Sequence, residues 1–170
     1  RKGIKIKLRV DSTDLMAFTN VWLVEEYQKT DSCIKYEDVV IDIGAHIGLF
    51  ALYASQFCKA GKIFCFEPIK ENFDVMTSNI ELQVRSVSLK NIFDSNSIEK
   101  CDFLKIDCEG EEYSIMSALP DSYYSRIKKI FIEYHMADVK PQLLKDLISR
   151  LHALAFKTIQ TETTSSMGLL

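Results

Sequence analysis

The sequence predicts an α/β fold, with a largely parallel sheet and helices on both of its faces. Short apolar runs alternate along the chain with segments of helical periodicity, which is the pattern of repeated strand–helix units. The first run, residues 39–44, is apolar except for Asp42, as expected of a central strand covered on both sides. The 170 residues of the chain, 47% of them apolar, are consistent with one globular core.

Four apolar runs predict the main strands, and the segments that follow them predict the helices. Each run is short, whereas each following segment has apolar side chains at helical spacing. Pro68 ends the second strand and Pro120 stops the third helix, because proline continues neither element. The predicted strands are 39–44, 62–68, 102–107 and 128–135, with helices from about 48, from about 72, after 110 and after 140, and a late strand within 156–162.

Residues 1–10 alternate basic and apolar side chains with a period of two, which predicts a strand rather than a signal peptide. We expect residues 1–38 to form a strand/helix extension of the same domain, and residues 39–170 to form its core. Trp22 and the segment 25–27 are expected to pack this extension, with a role in an acceptor pocket as the alternative.

Composition and charge exclude several classes of protein. Lysine and arginine number 21 against 24 aspartates and glutamates, so the net charge of -3 lacks the basic excess of a nucleic-acid binder. The longest apolar stretch, residues 47–58, is interrupted by Ser55 and Gln56 and is too short to cross a membrane. The five cysteines show no C-x-x-C spacing, so we expect reduced thiols in a cytoplasmic protein without a zinc site. The oligomeric state is left open.

An acidic residue stands at or near the carboxyl end of each predicted strand. In an open α/β sheet, ligands bind outside the carboxyl ends of the strands. Four unpaired charges would stabilise a core poorly, since burial of an unpaired charge is costly. The sequence therefore predicts a polar ligand site from Asp42, Glu67, Asp107 and Glu133.

A glycine turn, DIGAHIG, joins the first strand to its helix. Gly44 and Gly48 permit a tight turn and a close approach to a ligand, although packing alone also selects such glycines. The turn departs from the dinucleotide fingerprint G-x-G-x-x-G, because His46 replaces the second glycine. Glu67 follows at about the 20-residue spacing of a ribose-binding acid, with a solvated strand-end charge as the alternative. Together the two features predict an adenosine-containing ligand.

Four longer segments occur in an informative order: VVIDIGAHIGLFALYAS, GKIFCFEPIKENFDVMTSNIEL, DFLKIDCEGEEYSIM and IKKIFIEYH. In this order they resemble the FkbM-type methyltransferases, and the upstream RVDSTDLMAFTNVWLVEEY is similar to the amino-terminal region of that family. The resemblance implies a Rossmann-like class I methyltransferase fold with S-adenosylmethionine as cofactor. It also implies methyl transfer to a hydroxyl of a sugar or polyketide-type small molecule.

The resemblance carries site residues onto this chain. It implies cofactor binding by Asp42, Gly44, Ala45, His46, Gly48 and Glu67, and it brings Asp107, Glu109, Gly110 and Glu111 to the edge where methyl donor and acceptor should meet. The candidate catalytic residues are Asp107, His135 and Glu109. Asp107 is the first choice for the base that removes the acceptor's hydroxyl proton, and His135 is the second, because both end strands near the expected site. Glu111 and Glu112 are also explained as acids at a helix amino terminus. No metal is predicted; Mg²⁺ on the carboxylates is the less favoured alternative.

Two other functions and one anomaly remain open. A nicotinamide-dependent oxidoreductase would share the ribose acid, and a non-catalytic cofactor-binding domain would share the whole turn. The 34 residues of 68–101 leave room for one strand–helix–strand unit where a complete fold of this class needs two. A segment is therefore expected to be missing near Gln83–Val84, and residues that contact adenine with it.

Overall fold

The predicted alternation of strands and helices is present in the structure, a computed structural model that describes residues 4–24, 27, 34–80 and 88–170. The chain forms two compact units, residues 1–86 and residues 87–170. Parallel strand pairs occur in both units, and an antiparallel hairpin occurs in the second. The sheet is therefore mostly parallel and mixed.

The first unit holds the first two predicted strands and the helices that follow them. Strands β1 and β2 pair in parallel, with Val39 opposite Lys62 and Ile43 opposite Phe66. Its elements in chain order are α1 (Asp14–Phe18), a π-helical turn (Thr19–Leu23), β1 (Val39–Ile43), α2 (Leu49–Ala54), β2 (Lys62–Phe66) and α3 (Lys70–Ile80). Part of the core lies between the glycine turn, α2, β2 and α3, where Ala45, Ala51, Cys65 and Met76 are buried.

The second unit holds the other two main strands. Strands β3 and β4 pair in parallel, with Ile106 opposite Ile132, and β4 pairs with β6 in the antiparallel sense. Its elements are α4 (Leu89–Ser95), β3 (Phe103–Ile106), α5 (Glu112–Ala118), α6 (Asp121–Tyr124), β4 (Ile130–Tyr134), α7 (Pro141–Ala153), β5 (Thr161–Glu162) and β6 (Gly168–Leu169). The apolar side chains at helical spacing that predicted α7 face inward, since Leu147 and Leu151 are buried.

The strand predicted within residues 1–10 is wrong for its described part, because residues 4–9 belong to no strand. The backbone N–H of Lys7 instead donates to the Asn79 side chain at 2.8 Å. Alternation alone does not make a strand where the backbone finds a side chain instead of a neighbouring strand. The late strand is also shorter than predicted, because only Thr161–Glu162 pairs with β6.

Several further predictions concern the remaining segments. Between β2 and β3, the described residues form two helices and no strand. The expected gap near Gln83–Val84 lies outside the described residues, as do Cys33, Glu25 and Glu26.

Trp22 and Tyr27 pack as expected, against Tyr53 and Phe50 respectively. The four described cysteines, Cys58, Cys65, Cys101 and Cys108, carry thiols. Among the described helices, none has the length and apolar character to cross a membrane.

Candidate functional site

The glycine turn folds over the carboxyl end of β2. The backbone N–H groups of Gly44 and Ala45 both donate to the Phe66 carbonyl, at 2.9 and 3.0 Å. The N–H of Gly48 donates to the Ala45 carbonyl at 2.7 Å and closes the turn before α2 begins. Residues 44–48, which we call the cofactor loop, therefore form one folded unit with the end of β2.

Glu67 lies directly against this loop, as its predicted role requires. Its Oε2 accepts the backbone N–H of His46 at 2.7 Å, and its Oε1 accepts the N–H of Ile69 at 2.9 Å. The Asn72 amide donates to the same Oε1 at 3.4 Å. Each carboxylate oxygen has two acceptor positions, and one position of Oε2 is left by these bonds, so Glu67 can also accept a bond from a ribose hydroxyl. The backbone turn and the carboxylate together fit a nucleoside cofactor.

Gly48 has a packing reason for being glycine. Its φ of 82° lies in the left-handed region, where a side chain is strained. A Cβ at this position would also collide with Ile80 of α3 and approach Met76 Cγ to 3.1 Å. The identity of Gly48 thus follows from the contact between the cofactor loop and α3, and is not by itself evidence for a ligand.

Asp42 is fully buried within β1, where it lies opposite Cys65 of β2. Ala45 is also buried, whereas His46 is partly exposed and has a φ of 51°. Histidine tolerates the left-handed region better than most residues. The structure therefore brings the loop residues and Glu67 together and keeps Asp42 in the strand beneath them.

A partly buried ion pair beside His46 was not predicted from the sequence. Asp14 is fully buried and accepts the Arg9 guanidinium through both oxygens, at 2.7 and 3.0 Å. Nε2 of His46 lies 3.1 Å from Arg9 Nη2 and 3.3 Å from Asp14 Oδ1. Burial opposes ionisation of Asp14, but the bonds and charge of Arg9 outweigh it and lower the pKa of Asp14. No signal marked these two residues, since the alternating segment that contains Arg9 predicted a strand.

The second unit brings together the three predicted catalytic residues. Asp107 follows β3, Glu109 has a φ of 53° in the loop before α5, and His135 follows β4. Nε2 of His135 lies 3.7 Å from Glu109 Oε2. One ligand atom from each of Asp107, Glu109 and His135 lies within 4.8 Å of the others. Glu133, the remaining strand-end acid of the prediction, lies within β4.

Glu112 connects this cluster to the start of α5. Its side chain is fully buried, and Oε1 lies 3.0 Å from Nδ1 of His135. The same carboxylate accepts the backbone N–H groups of Cys108 and Gly110, at 2.9 and 3.0 Å. Burial opposes ionisation of Glu112, but the bond from His135 and these backbone donors lower its pKa. The predicted role as an acid at a helix amino terminus is therefore only part of what Glu112 does.

The bond to Glu112 also determines the charge of His135. It raises the pKa of His135 to about 9 against the opposing effect of burial, and the charges of Glu109 and Asp107 act in the same direction. The imidazole is therefore protonated at neutral pH, with both ring nitrogens as donors. Two neighbouring groups stay neutral, because burial raises the pKa of Cys108 to about 12 and that of Tyr113 to about 12. His135, Cys108 and Tyr113 therefore all hold their protons at neutral pH.

The Asp107 carboxylate also has a cationic neighbour. Nζ of Lys105 lies 3.3 Å from Asp107 Oδ2, and the Lys105 side chain is buried. Protonated His135 supplies a second positive charge to the cluster. Carboxylates and imidazole are metal-ligand types, and an imidazole releases its proton when it binds a metal. The prediction that no metal is bound stays a prediction.

Solved structures of low sequence identity share the fold. A precorrin-6y C5,15-methyltransferase from Geobacter metallireducens matches with a TM-score of 0.60 and 15% identity, over 98% of this chain and 90% of that one. A SAM-dependent methyltransferase from Aquifex aeolicus matches with a TM-score of 0.55 and 13% identity, over 94% and 91%. Fibrillarin from Aeropyrum pernix, solved with natively bound S-adenosyl-L-methionine, matches with a TM-score of 0.60 and 12% identity. That match covers 80% of this chain, which spans 66% of the fibrillarin chain.

The sequence comparisons match part of this chain to a protein family but match it to no individual curated protein. No curated protein matches the chain significantly. Residues 76–158 match the model of the methyltransferase FkbM domain, a range that includes Asp107, Glu109, Glu112 and His135. The match and the shared fold support a SAM-dependent methyltransferase. They confirm the predicted Rossmann-like class I fold, and the match over residues 76–158 supports the resemblance to the FkbM-type methyltransferases.

Proposed function

We propose that this protein is an S-adenosylmethionine-dependent O-methyltransferase whose acceptor is a hydroxyl of a sugar or polyketide-type small molecule. The observation that carries the proposal is the contact of the cofactor loop with Glu67, where His46 N–H and Glu67 Oε2 lie 2.7 Å apart. The FkbM match over residues 76–158 supports the reaction class. The net charge of -3 favours a small acceptor over a nucleic acid.

In this proposal, the first unit binds the cofactor. Glu67 accepts a ribose hydroxyl through Oε2, and residues 44–48 give a glycine-containing turn against which the rest of the cofactor lies. His46 is held in place because its backbone N–H donates to the Glu67 carboxylate and its ring contacts Arg9 and Asp14. S-adenosylmethionine, when bound, supplies a methyl group on a sulfonium and leaves as the neutral thioether S-adenosylhomocysteine.

The proposed acid–base groups are Asp107, His135 and Glu109. Asp107 would accept the proton of the acceptor hydroxyl, whose oxygen would then receive the methyl group that S-adenosylmethionine supplies, with S-adenosylhomocysteine as the leaving group. His135 is positively charged at neutral pH and acts by donating hydrogen bonds to the acceptor oxygens. Glu109 is 85% exposed and contacts the acceptor from the solvent side. Alignment of the two reactants supplies much of the rate in a displacement of this kind.

Calorimetric titration with S-adenosylmethionine, S-adenosylhomocysteine and NAD tests the cofactor. We expect binding of the first two and none of NAD, and we expect Glu67→Ala to weaken S-adenosylhomocysteine binding by about 10- to 100-fold, because a hydroxyl bond to a charged group is lost. Glu71→Ala, which removes an exposed carboxylate on the adjacent first turn of α3, is the matched control. Binding of NAD alone would identify a nicotinamide-dependent enzyme instead. A panel of hydroxylated acceptors with methyl-labelled cofactor then identifies the substrate class.

A further inference from the structure

The amino-terminal segment, residues 4–24, contacts the cofactor loop and the first residue of α2. We infer that this segment is a clasp that holds the loop in its cofactor-binding conformation, with Asp14 and Asn79 as positioning residues. The inference rests on the proposed function, since it concerns how the same loop becomes competent to bind S-adenosylmethionine. Three contacts carry it: the segment meets His46 and Leu49 directly, and it meets Ile47 through the side chain of Asn79 in α3.

The first contact is made by Asn79 of α3. Its Nδ2 donates to the Ile47 carbonyl at 2.9 Å and to the Lys7 carbonyl at 3.2 Å. Its Oδ1 accepts the Lys7 backbone N–H at 2.8 Å. One amide group therefore ties the amino-terminal backbone to the loop backbone, and both ends of the amide are used.

The second contact is the ion pair beside His46. The backbone N–H of Arg9 donates to Asp14 Oδ2 at 2.8 Å, in addition to the guanidinium bonds. The pair is therefore rigid, and the His46 ring lies against both members. A neutral ring accepts from Arg9 through Nε2, whereas a protonated ring donates to Asp14 through the same atom. The clasp thus has a partner for His46 in either protonation state.

The third contact is made by Trp22 in the π-helical turn. Its indole Nε1 donates to the Leu49 carbonyl at 3.3 Å. Its ring meets Tyr53 of α2 edge-on, with 5.9 Å between centroids. This contact fixes the amino-terminal segment to the helix that the cofactor loop opens.

The loop needs such support because of its backbone. Gly44, His46 and Gly48 have φ values of 78°, 51° and 82°, so three of five residues lie in the left-handed region. Glycine is conformationally free and histidine pays a cost there, so the loop alone would sample other conformations. Ordering it on binding would cost affinity, and contacts that order it beforehand remove that cost.

The test measures S-adenosylhomocysteine binding by calorimetry and amide hydrogen exchange of residues 44–48 in the full chain. We expect Asp14→Asn and Asn79→Ala to raise the Kd by about tenfold, as expected for loss of one charge-assisted or backbone-directed bond network. The amides of Gly44, Ala45 and Gly48 should exchange faster in both variants. Asp11→Asn is the matched control, because Asp11 is exposed and undergoes the same chemical change.

The outcomes separate the clasp from the proposed function. Wild-type binding with unchanged Kd and exchange in the two variants would overturn the clasp and leave the cofactor assignment intact. Absence of wild-type binding would overturn the cofactor assignment, and hydrogen exchange alone would then decide whether residues 4–24 order the loop. If Asp14→Asn fails to fold because a buried carboxylate is changed, Asn79→Ala, at a partly exposed position, decides the question.

Discussion

Asp107 and His135 differ in charge although both follow strands of the second unit. Glu112 keeps His135 protonated, with a pKa of about 9, while Lys105 supplies a positive charge 3.3 Å from Asp107. A protonated imidazole cannot accept a proton, so the two candidates for the base are not equivalent. This difference, which comes from the hydrogen bond between His135 and Glu112, supports the proposal of Asp107 as the base.

Asp107→Asn should bind S-adenosylhomocysteine as wild type does but slow methyl transfer by roughly 100-fold or more, because general base catalysis contributes about that much. The measurement is single-turnover transfer of a labelled methyl group, with the Kd from calorimetry beside it. Asp138→Asn, an exposed aspartate after β4, is the control. Unchanged turnover in Asp107→Asn would remove Asp107 as the base.

The site residues that sequence could predict are those that end strands. Glu67 and the cofactor loop follow β2 and β1, and parallel pairing of those strands brings their ends together. Arg9 and Asp14 follow no such rule, because they meet His46 only through the path of an irregular segment. The sequence predicted Glu112 as an acid at a helix amino terminus. Its contact with His135 was not predicted, because His135 follows β4 and is 23 residues away in sequence.

At the scale of elements, one side chain of α7, that of Arg150, donates hydrogen bonds to the backbone carbonyls at the carboxyl end of α5. Nη1 of Arg150 donates to the carbonyls of Met116 and Ser117, at 2.8 and 3.0 Å. Its Nη2 donates to the Leu119 carbonyl at 2.7 Å and to Asp121 Oδ1 at 2.6 Å. The last carbonyls of a helix have no partner within it, so the planar guanidinium takes the place of the missing donors.

Arg150→Met should lower the free energy of unfolding by about 1–3 kcal/mol, because the carbonyls at the end of α5 lose a charged donor. Arg150→Lys should recover only part of the loss, since one ammonium cannot reach the several acceptors that a fork reaches. Urea denaturation measures both variants, with Lys145→Met on the exposed side of the same helix as control. A loss in Arg150→Met no larger than in Lys145→Met would show that α5 does not depend on this contact.

The elements themselves were largely predictable because burial leaves a pattern. β1, β2, β3 and β4 are apolar runs, and α7 has a buried stripe, so their positions follow from periodicity. The prediction of an amino-terminal strand was wrong, because the backbone N–H of Lys7 in this alternating segment donates to the Asn79 side chain and not to a neighbouring strand. The pairing of β5 with β6 was not predicted, since each has two residues and neither forms a period.

For the whole molecule, three buried or partly buried groups connect stability to pH. Asp14 and Glu112 have pKa values lowered by folding, so their contributions are complete above the ordinary values of 3.8 and 4.5 and are lost as the pH falls. The pKa of His135 is raised by folding from 6.5 to about 9, so its contribution is complete below pH 6.5 and is lost as the pH rises through 9. Stability from these groups is therefore greatest between pH 4.5 and 6.5.

The free energy of unfolding should accordingly decline between pH 6.5 and 9, and Glu112→Gln should flatten that decline, because His135 loses its main charged partner. Urea midpoints at intervals across this range measure the effect, with Glu111→Gln, an exposed neighbour, as control. Cys108, whose pKa is raised from 9.0 to about 12, lowers stability only above pH 9 and so does not enter this window. An equal decline in wild type and Glu112→Gln would show that the Glu112–His135 pair does not produce the alkaline loss of stability.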